Sequence, residues 1–301
     1  MKMEVRDLCK CFSNKVVLDN LNFEFESGKC IAVLGRNGAG KTTLFRTILG
    51  IINHDYGEIL IDGKPIDKDK IKIGYLPEER GLYLKRTVYE QMMYFGRLKG
   101  LSKEVCSQVI DLLLEKLEAT EYKFKRLETL SKGNQQKIQL AISVIDNPDI
   151  IIFDEPFSGL DLVSAKILKD LIEDFASNGK LVIFSSHEIT YLEGFCEYLA
   201  ILHNNKIEIT GSISEIKSNY SKNLIKVCFS NYNRAELAVY DAEVLSLCNN
   251  VDIDGNDVIF DLKDINYKNK LQKVLIDKSW YFNYFEVHTP TLEEIFIDKV
   301  G

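Results

Sequence analysis

Short apolar runs alternate along most of this chain with longer stretches of helical period, and the alternation predicts an α/β fold. Residues 3–25 read as β-rich, with Val16-Val17-Leu18 and Leu21-Asn22-Phe23-Glu24-Phe25 as short runs separated by turn residues. The continuous run Cys30-Ile31-Ala32-Val33-Leu34 reads as a buried strand, and residues 43–49 as a helix ending near Gly50. Ile59-Leu60-Ile61 enters a tight turn at Asp62-Gly63. From about 89 to 147 the pattern is helical. Val105, Val109, Leu112, Leu113 and Leu117 recur after a possible Ser102 cap, and a second helix starts near Asn134 with Ile138, Ala141, Ile142 and Ile145 on one face. Pro148 ends it. Strand 150–153, helix 162–176, strand 181–184 and helix 189–196 follow, an order that predicts a mainly parallel sheet interrupted by a helical insert.

A Ser- and Lys-rich stretch at about 211–223 reads as a linker. Beyond it the pattern gives a strand at 224–229, a helix at 234–247, strands near 251–253 and 258–262, a helix at 267–277 and a strand at 281–287. A last helix opens at the capping box Thr291-Leu292-Glu293-Glu294. The order β-α-β-β-α-β predicts a small α+β domain of split βαβ type. The expected division is therefore residues 1–215 and residues 220–301.

Composition narrows the function classes. At 301 residues the chain accommodates two domains, and its 46% apolar and 28% charged content is that of a globular protein. A net charge of −7 argues against a nucleic-acid partner, which calls for clustered Lys and Arg. Seven cysteines without zinc spacing predict free thiols in a reducing cytoplasm. Met1-Lys2-Met3-Glu4-Val5 lacks the apolar stretch of a secretion signal, and no run approaches the length of a membrane span.

The candidate chemistry begins at Gly35-Arg36-Asn37-Gly38-Ala39-Gly40-Lys41-Thr42, which fits G-x-x-x-x-G-K-[ST]. Strand, loop and helix stand in the order a phosphate-binding loop requires. Its glycines let the backbone curl so that successive N–H groups, among them those of Asn37, Ala39 and Thr43, face an anion at a helix N-terminus. Lys41 would reach the β- and γ-phosphates, and the Thr42 hydroxyl would hold Mg²⁺. The strand 150–153 runs into Asp154-Glu155, acids placed where ligands meet an open α/β sheet. Asp154 could bind Mg²⁺, and Glu155 could take a proton from an attacking water.

Further segments carry a resemblance. Leu130-Ser131-Lys132-Gly133-Asn134-Gln135-Gln136 is close to the LSGGQ signature, Ser158-Gly159-Leu160-Asp161 to the D-loop, and Ser185-Ser186-His187 to the switch histidine. In this order and spacing over residues 3–215 they resemble the ATPase subunit of ABC transporters. The resemblance implies ATP and Mg²⁺ as cofactors and two ATPase domains, expected as a homodimer, closing on two nucleotides. It implies that Phe12 stacks on adenine, that Ser131 and Gly133 meet the ATP of the opposite subunit, that Asp161 bridges the subunits, and that His187 contacts the γ-phosphate. It also implies a multi-span membrane permease as partner, with this chain cytoplasmic and peripheral on the inner face of the membrane.

Three positions depart from the family pattern. Glu78, in Tyr75-Leu76-Pro77-Glu78, stands where a lid glutamine would ligate the metal, Lys132 replaces a glycine, and Asn134 replaces a glutamine. The lid segment 74–83 and the tail from about 220, ending Thr289-Pro290-Thr291-Leu292-Glu293-Glu294-Ile295-Phe296, resemble a branch of sodium- and drug-extruding ATPases. Export is therefore expected. The aromatic-rich stretch 78–97, with Tyr83, Tyr89, Tyr94 and Phe95, is the candidate docking surface for the permease.

Overall fold

The structure, a computed structural model, describes every residue except 68, 69, 80, 188, 190, 191, 193, 222 and 301. The chain divides into two compact units, Met1–Ser212 and Ile213–Gly301.

The first unit opens with a long antiparallel hairpin of β1 (Lys2–Phe12) and β2 (Lys15–Glu26). Along β2, Leu21, Phe23 and Phe25 are buried while Asn22, Glu24 and Glu26 face out, the period of a half-buried strand. The two runs expected to be separated by a turn are thus one strand. Asn20 absorbs the irregularity at φ 52° without ending the pairing. The chain leaves through β3 (Cys30–Leu34) and α1 (Lys41–Ile48), then returns with β4 (Tyr56–Ile61) and β5 (Lys64–Pro65) to complete a sheet of order β2-β1-β4-β5.

The second sheet takes β3 as a central strand. Its other members are β6 (Ile73–Leu76), β7 (Ile150–Phe153), β8 (Leu181–Ser186), β9 (Tyr198–His203) and β10 (Lys206–Ser212). The order is β10-β9-β3-β8-β7-β6, parallel throughout except for β10. Strands β3, β7 and β8 are buried at every position, which is why they read as unbroken apolar runs. Register sets Leu34 beside Ser186 and Phe153 beside Phe184, so the C-terminal ends of β3, β8 and β7 lie side by side.

Between β6 and β7 the insert holds α2 (Val88–Leu98), α3 (Lys103–Lys116) and α4 (Lys132–Ser143). Helix α2 starts at a capping box of Thr87 and Glu90. Ser102 caps α3 by accepting from the Val105 N–H, yet the buried side of α3 is Cys106, Ile110, Leu113 and Leu114, with Val105 and Leu112 exposed. Two apolar stripes compete on this helix, and the α2 neighbour decides between them. Gly96 of α2 lies so close that a Cβ there would meet Cys106 Sγ at 2.3 Å. Helix α4 begins two residues earlier than its apolar period indicates, because Ser131 accepts from the Asn134 N–H. Helix α5 (Leu162–Ser177) links β7 to β8. The helix expected over 189–196 falls partly on residues 190, 191 and 193, outside the described residues.

In the second unit the stretch read as a linker holds α6 (Ile213–Ser221). Next come β11 (Leu224–Phe229), α7 (Tyr232–Tyr240), α8 (Ala242–Leu247), β12 (Cys248–Asp254), β13 (Asp257–Leu262), α9 (Lys268–Asp277), β14 (Phe282–Val287) and α10 (Leu292–Val300). The strands form an antiparallel sheet β12-β13-β11-β14. One helix was expected over 234–247. Asp241 breaks it, adopting φ −74° and ψ 125° and capping α8 by accepting from the N–H groups of Glu243 and Val244. Ile225, Val227 and Phe229 of β11 pack with Val258 and Phe260 of β13 against Ala235, Val244, Leu271 and Leu275.

All seven cysteines are free. Burial pushes the thiol of Cys30 up to about 12 and that of Cys248 to about 11, so both pack as neutral side chains.

Truncating Phe260 to alanine is expected to cost the second unit about 3–5 kcal/mol. Trp280, the sole tryptophan, packs against this core and reports on it. Its fluorescence in a denaturant titration should show an earlier transition, and an unmoved midpoint would contradict the assignment of Phe260 to the core.

Candidate functional site

The loop between β3 and α1 is shaped by its glycines. Gly38 at φ +82° would place a Cβ in open space, and Gly40 at φ +109° forms the N-cap of α1 with no side-chain cap. No side chain caps this helix start among the described residues, and first-turn N–H groups of a helix have no intrahelical partners. A concave run of amides at a helix N-terminus is a site for an anion. A Cβ on Gly40 would meet Val17 O at 2.9 Å, so β2 runs against the end of the loop. Across the hairpin Phe12 pairs with Lys15, and its ring is 46% exposed with the Lys10 ammonium 5.3 Å from its centroid. An exposed aromatic on this hairpin offers a face for a planar ligand.

Lys41 is 6% exposed. Its Nζ donates to the Gly35 carbonyl at 2.7 Å and forms an ion pair with Glu155 Oε1 at 3.0 Å. Glu155, 7% exposed, meets His187 Nδ1 through its other oxygen at 2.7 Å. A carboxylate can only accept, so Nδ1 is the donor and Nε2 is the acceptor in the neutral ring. Glu155 stands at φ 52°, a left-handed conformation that costs a non-glycine residue about 1 kcal/mol or more and clusters at functional sites. It is stabilised by its own N–H, which donates to Ser185 Oγ at 2.8 Å. Ser185 in turn donates to Asp154 Oδ1 at 2.7 Å.

Asp154 is fully buried, and its Oδ2 has no hydrogen-bond partner among the described residues. A carboxylate oxygen buried in this way calls for a cation. Hard oxygen donors suit Mg²⁺, and Asp154 Oδ2 with the half-buried Thr42 hydroxyl could hold it. Tyr75 places its hydroxyl in the same interior, where burial and then the Asp154 charge push its pKa up. Glu78 lies exposed in the loop after β6.

The remaining candidates sit at two helix starts. Ser131 caps α4, and Gly133 in its first turn comes within 3.5 Å of Leu160 Cδ2 at its Cβ position, ordinary contact that leaves the glycine without an internal steric reason. Asp161 caps α5 by accepting from the Ser164 N–H at 2.8 Å, and that bond holds its carboxyl below the usual range.

The structure thus brings together Lys41, Asp154, Glu155 and His187, and puts Ser131, Gly133 and Asp161 at adjoining helix starts. Two residues of this region were missed in the sequence. Ser185 joins the two acids, and its signal was the hydroxyl two places before His187. Gln139 is a buried amide on α4, flagged only by being polar among Ile138, Leu140 and Ala141.

Ser185→Ala is expected to leave Asp154 Oδ1 and the Glu155 N–H without their partner, at a cost of about 1–3 kcal/mol. A thermal melt should shift downward. A parental melting curve would remove Ser185 from the site.

The chain is similar to known proteins in sequence and in fold. The family described as ABC transporter matches residues 18–158, and the family described as ATP-binding protein DrrA1-3-like, C-terminal domain, matches residues 211–300. YhaQ of Bacillus subtilis, described as an uncharacterized ABC transporter ATP-binding protein, is 36% identical over 302 residues, covering 99% of this chain and 98% of its own. The linearmycin resistance ATP-binding protein LnrL of Bacillus subtilis is 26% identical over 307 residues, covering 99% and 98%. A solved structure of the ATP binding subunit of an ABC transporter superposes with TM-score 0.66 at 27% identity, covering 73% of this chain and 93% of that one.

Proposed function

The chain belongs to the ABC transporter ATP-binding family and is an ATPase, and from that premise we propose that it powers export through a separate multi-span membrane permease. The observation that carries the catalytic part is the buried cluster in which Lys41 and His187 hold opposite oxygens of Glu155.

In this reading the amides of residues 35–43 cradle the phosphates of ATP, and Phe12 stacks on the base. The Lys41 ammonium, buried between Gly35 O and Glu155, keeps its charge and would exchange Glu155 for the γ-phosphate as its ion-pair partner. Glu155 is then released to accept a proton from the attacking water, with His187 fixing its orientation. Thr42, Asp154 and Glu78 would hold Mg²⁺, which when bound offsets charge on the β- and γ-phosphates. Ser131 and Gly133 of a second copy would close on the same nucleotide, and Asp161 would lie between the copies. That role gives Gly133 the reason its own subunit lacks.

No helix among the described residues is long and apolar enough to cross a membrane, so the spanning path is assigned to a partner chain, with this one on the inner face. The docking surface is assigned to α2. Tyr83, Tyr94 and Phe95 form a ring cluster with centroids 5.3–6.4 Å apart, and Tyr83, Tyr94 and Leu98 are exposed. Grooves of about 420 and 560 Å³ flank Tyr94. Export draws its support from the lid and tail segments and from the resistance named for LnrL.

Glu155→Gln is expected to lower turnover ~10²–10⁴-fold, the share of a positioned base, while ATP binding persists and dimers accumulate in size-exclusion chromatography with ATP. Equal hydrolysis by variant and parent would take Glu155 out of the base role. Lys41→Ala should abolish tight ATP binding in a calorimetric titration, and undiminished affinity would contradict the phosphate cradle.

A further inference from the structure

Buried amides inside a helix seldom lack a purpose, because each donor must find an acceptor. Gln139 is 5% exposed on α4, about two turns beyond the Ser131 cap. Its Nε2 donates to the carbonyl of Glu79 at 3.0 Å and to that of Pro77 at 3.4 Å. These are the residues on either side of Glu78. Its Oε1 is buried with no hydrogen-bond partner among the described residues, so the bonds that define this side chain all run to the lid loop.

We propose that Gln139 is a positioning residue that aims Glu78 at the metal end of the nucleotide site by fixing the backbone on both sides of it. A loop residue whose flanking carbonyls are both held has little freedom left at its own Cα. Pro77 stiffens the entry to the same loop through its fixed φ. The geometry also ties the loop to α4, the helix whose first turn carries Ser131 and Gly133. A glutamate in the lid position needs such support more than a glutamine would. Its charge helps only beside the cation and repels the γ-phosphate when displaced.

The inference rests on Glu78 serving the metal end of the site, and its test separates the two ideas. The full chain is titrated with a non-hydrolysable ATP analogue in Mg²⁺ and again in chelator, and the ratio of the two affinities reads the coupling of metal to nucleotide. Glu78→Ala should lower that ratio. Gln139→Met, which keeps the length of the side chain and removes the orphan oxygen with the donors, should lower it about five- to tenfold. Affinity in chelator should stay within about twofold of the parent, since removing two uncharged bonds to the lid leaves the phosphate cradle intact. In the double variant Gln139→Met should add nothing. If Glu78→Ala shifts the ratio and Gln139→Met does not, the positioning role is overturned while Glu78 keeps its own. An equal further loss on the Glu78→Ala background overturns it as well. A parental ratio in Glu78→Ala overturns both. Should Gln139→Met fail to fold, Gln139→Leu carries the same comparison.

Discussion

The ion pair between Lys41 and Glu155 is the constraint around which the rest of the site is arranged. Two charges taken out of water are tolerated only when paired and hydrogen-bonded, and losing one partner from such a pair is commonly worth about 3–5 kcal/mol. Strand order brings the two charges together, with Glu155 Oε1 meeting Lys41 at ion-pair distance but without a hydrogen bond among the described residues. The C-terminal ends of β3, β8 and β7 are neighbours, so a loop lysine, a serine–histidine segment and a pair of acids converge from three separate parts of the chain. Ser185 on the middle strand joins both acids, and the φ 52° conformation of Glu155 is sustained by the bond it provides. Lys41 and Glu155 are both held by the protein's own groups, Lys41 by the Gly35 carbonyl and Glu155 by His187.

Much of this was legible in the residue pattern. The buried parallel strands announced themselves as apolar runs bounded by glycine or acidic residues, and the phosphate loop and strand-end acids are encoded locally. Much of the α+β order of the second unit was also readable, because β11 and β13 alternate and the last helix opens at the Thr291–Glu294 capping box. What escaped the reading depends on contacts between distant segments. The buried face of α3 is chosen by the approach of Gly96, which no periodicity in α3 records. The break at Asp241 depends on whether its carboxylate caps the following turn or faces water. Ser185 and Gln139 are ordinary polar residues until β7 and the lid loop are packed against them.

The lid loop carries one of the departures noted in the sequence. A glutamate stands at the position of an uncharged amide, and an amide on α4 grips the backbone on either side of it. If Glu78 serves the metal as proposed, its charge makes the placement of the loop more critical. The loop runs on through exposed Tyr83 into α2, where Tyr94 and Leu98 are exposed, so the lid and the surface proposed for docking are neighbours along the chain.

The most direct measurement is a crystal structure of the chain grown with Mg²⁺ and a non-hydrolysable ATP analogue. The account predicts the γ-phosphate on Lys41 Nζ in place of Glu155 Oε1, the metal on Asp154 Oδ2 and the Thr42 hydroxyl, and the base on the ring of Phe12. A nucleotide bound elsewhere, or one seated in the loop with Lys41 still paired to Glu155, would contradict it.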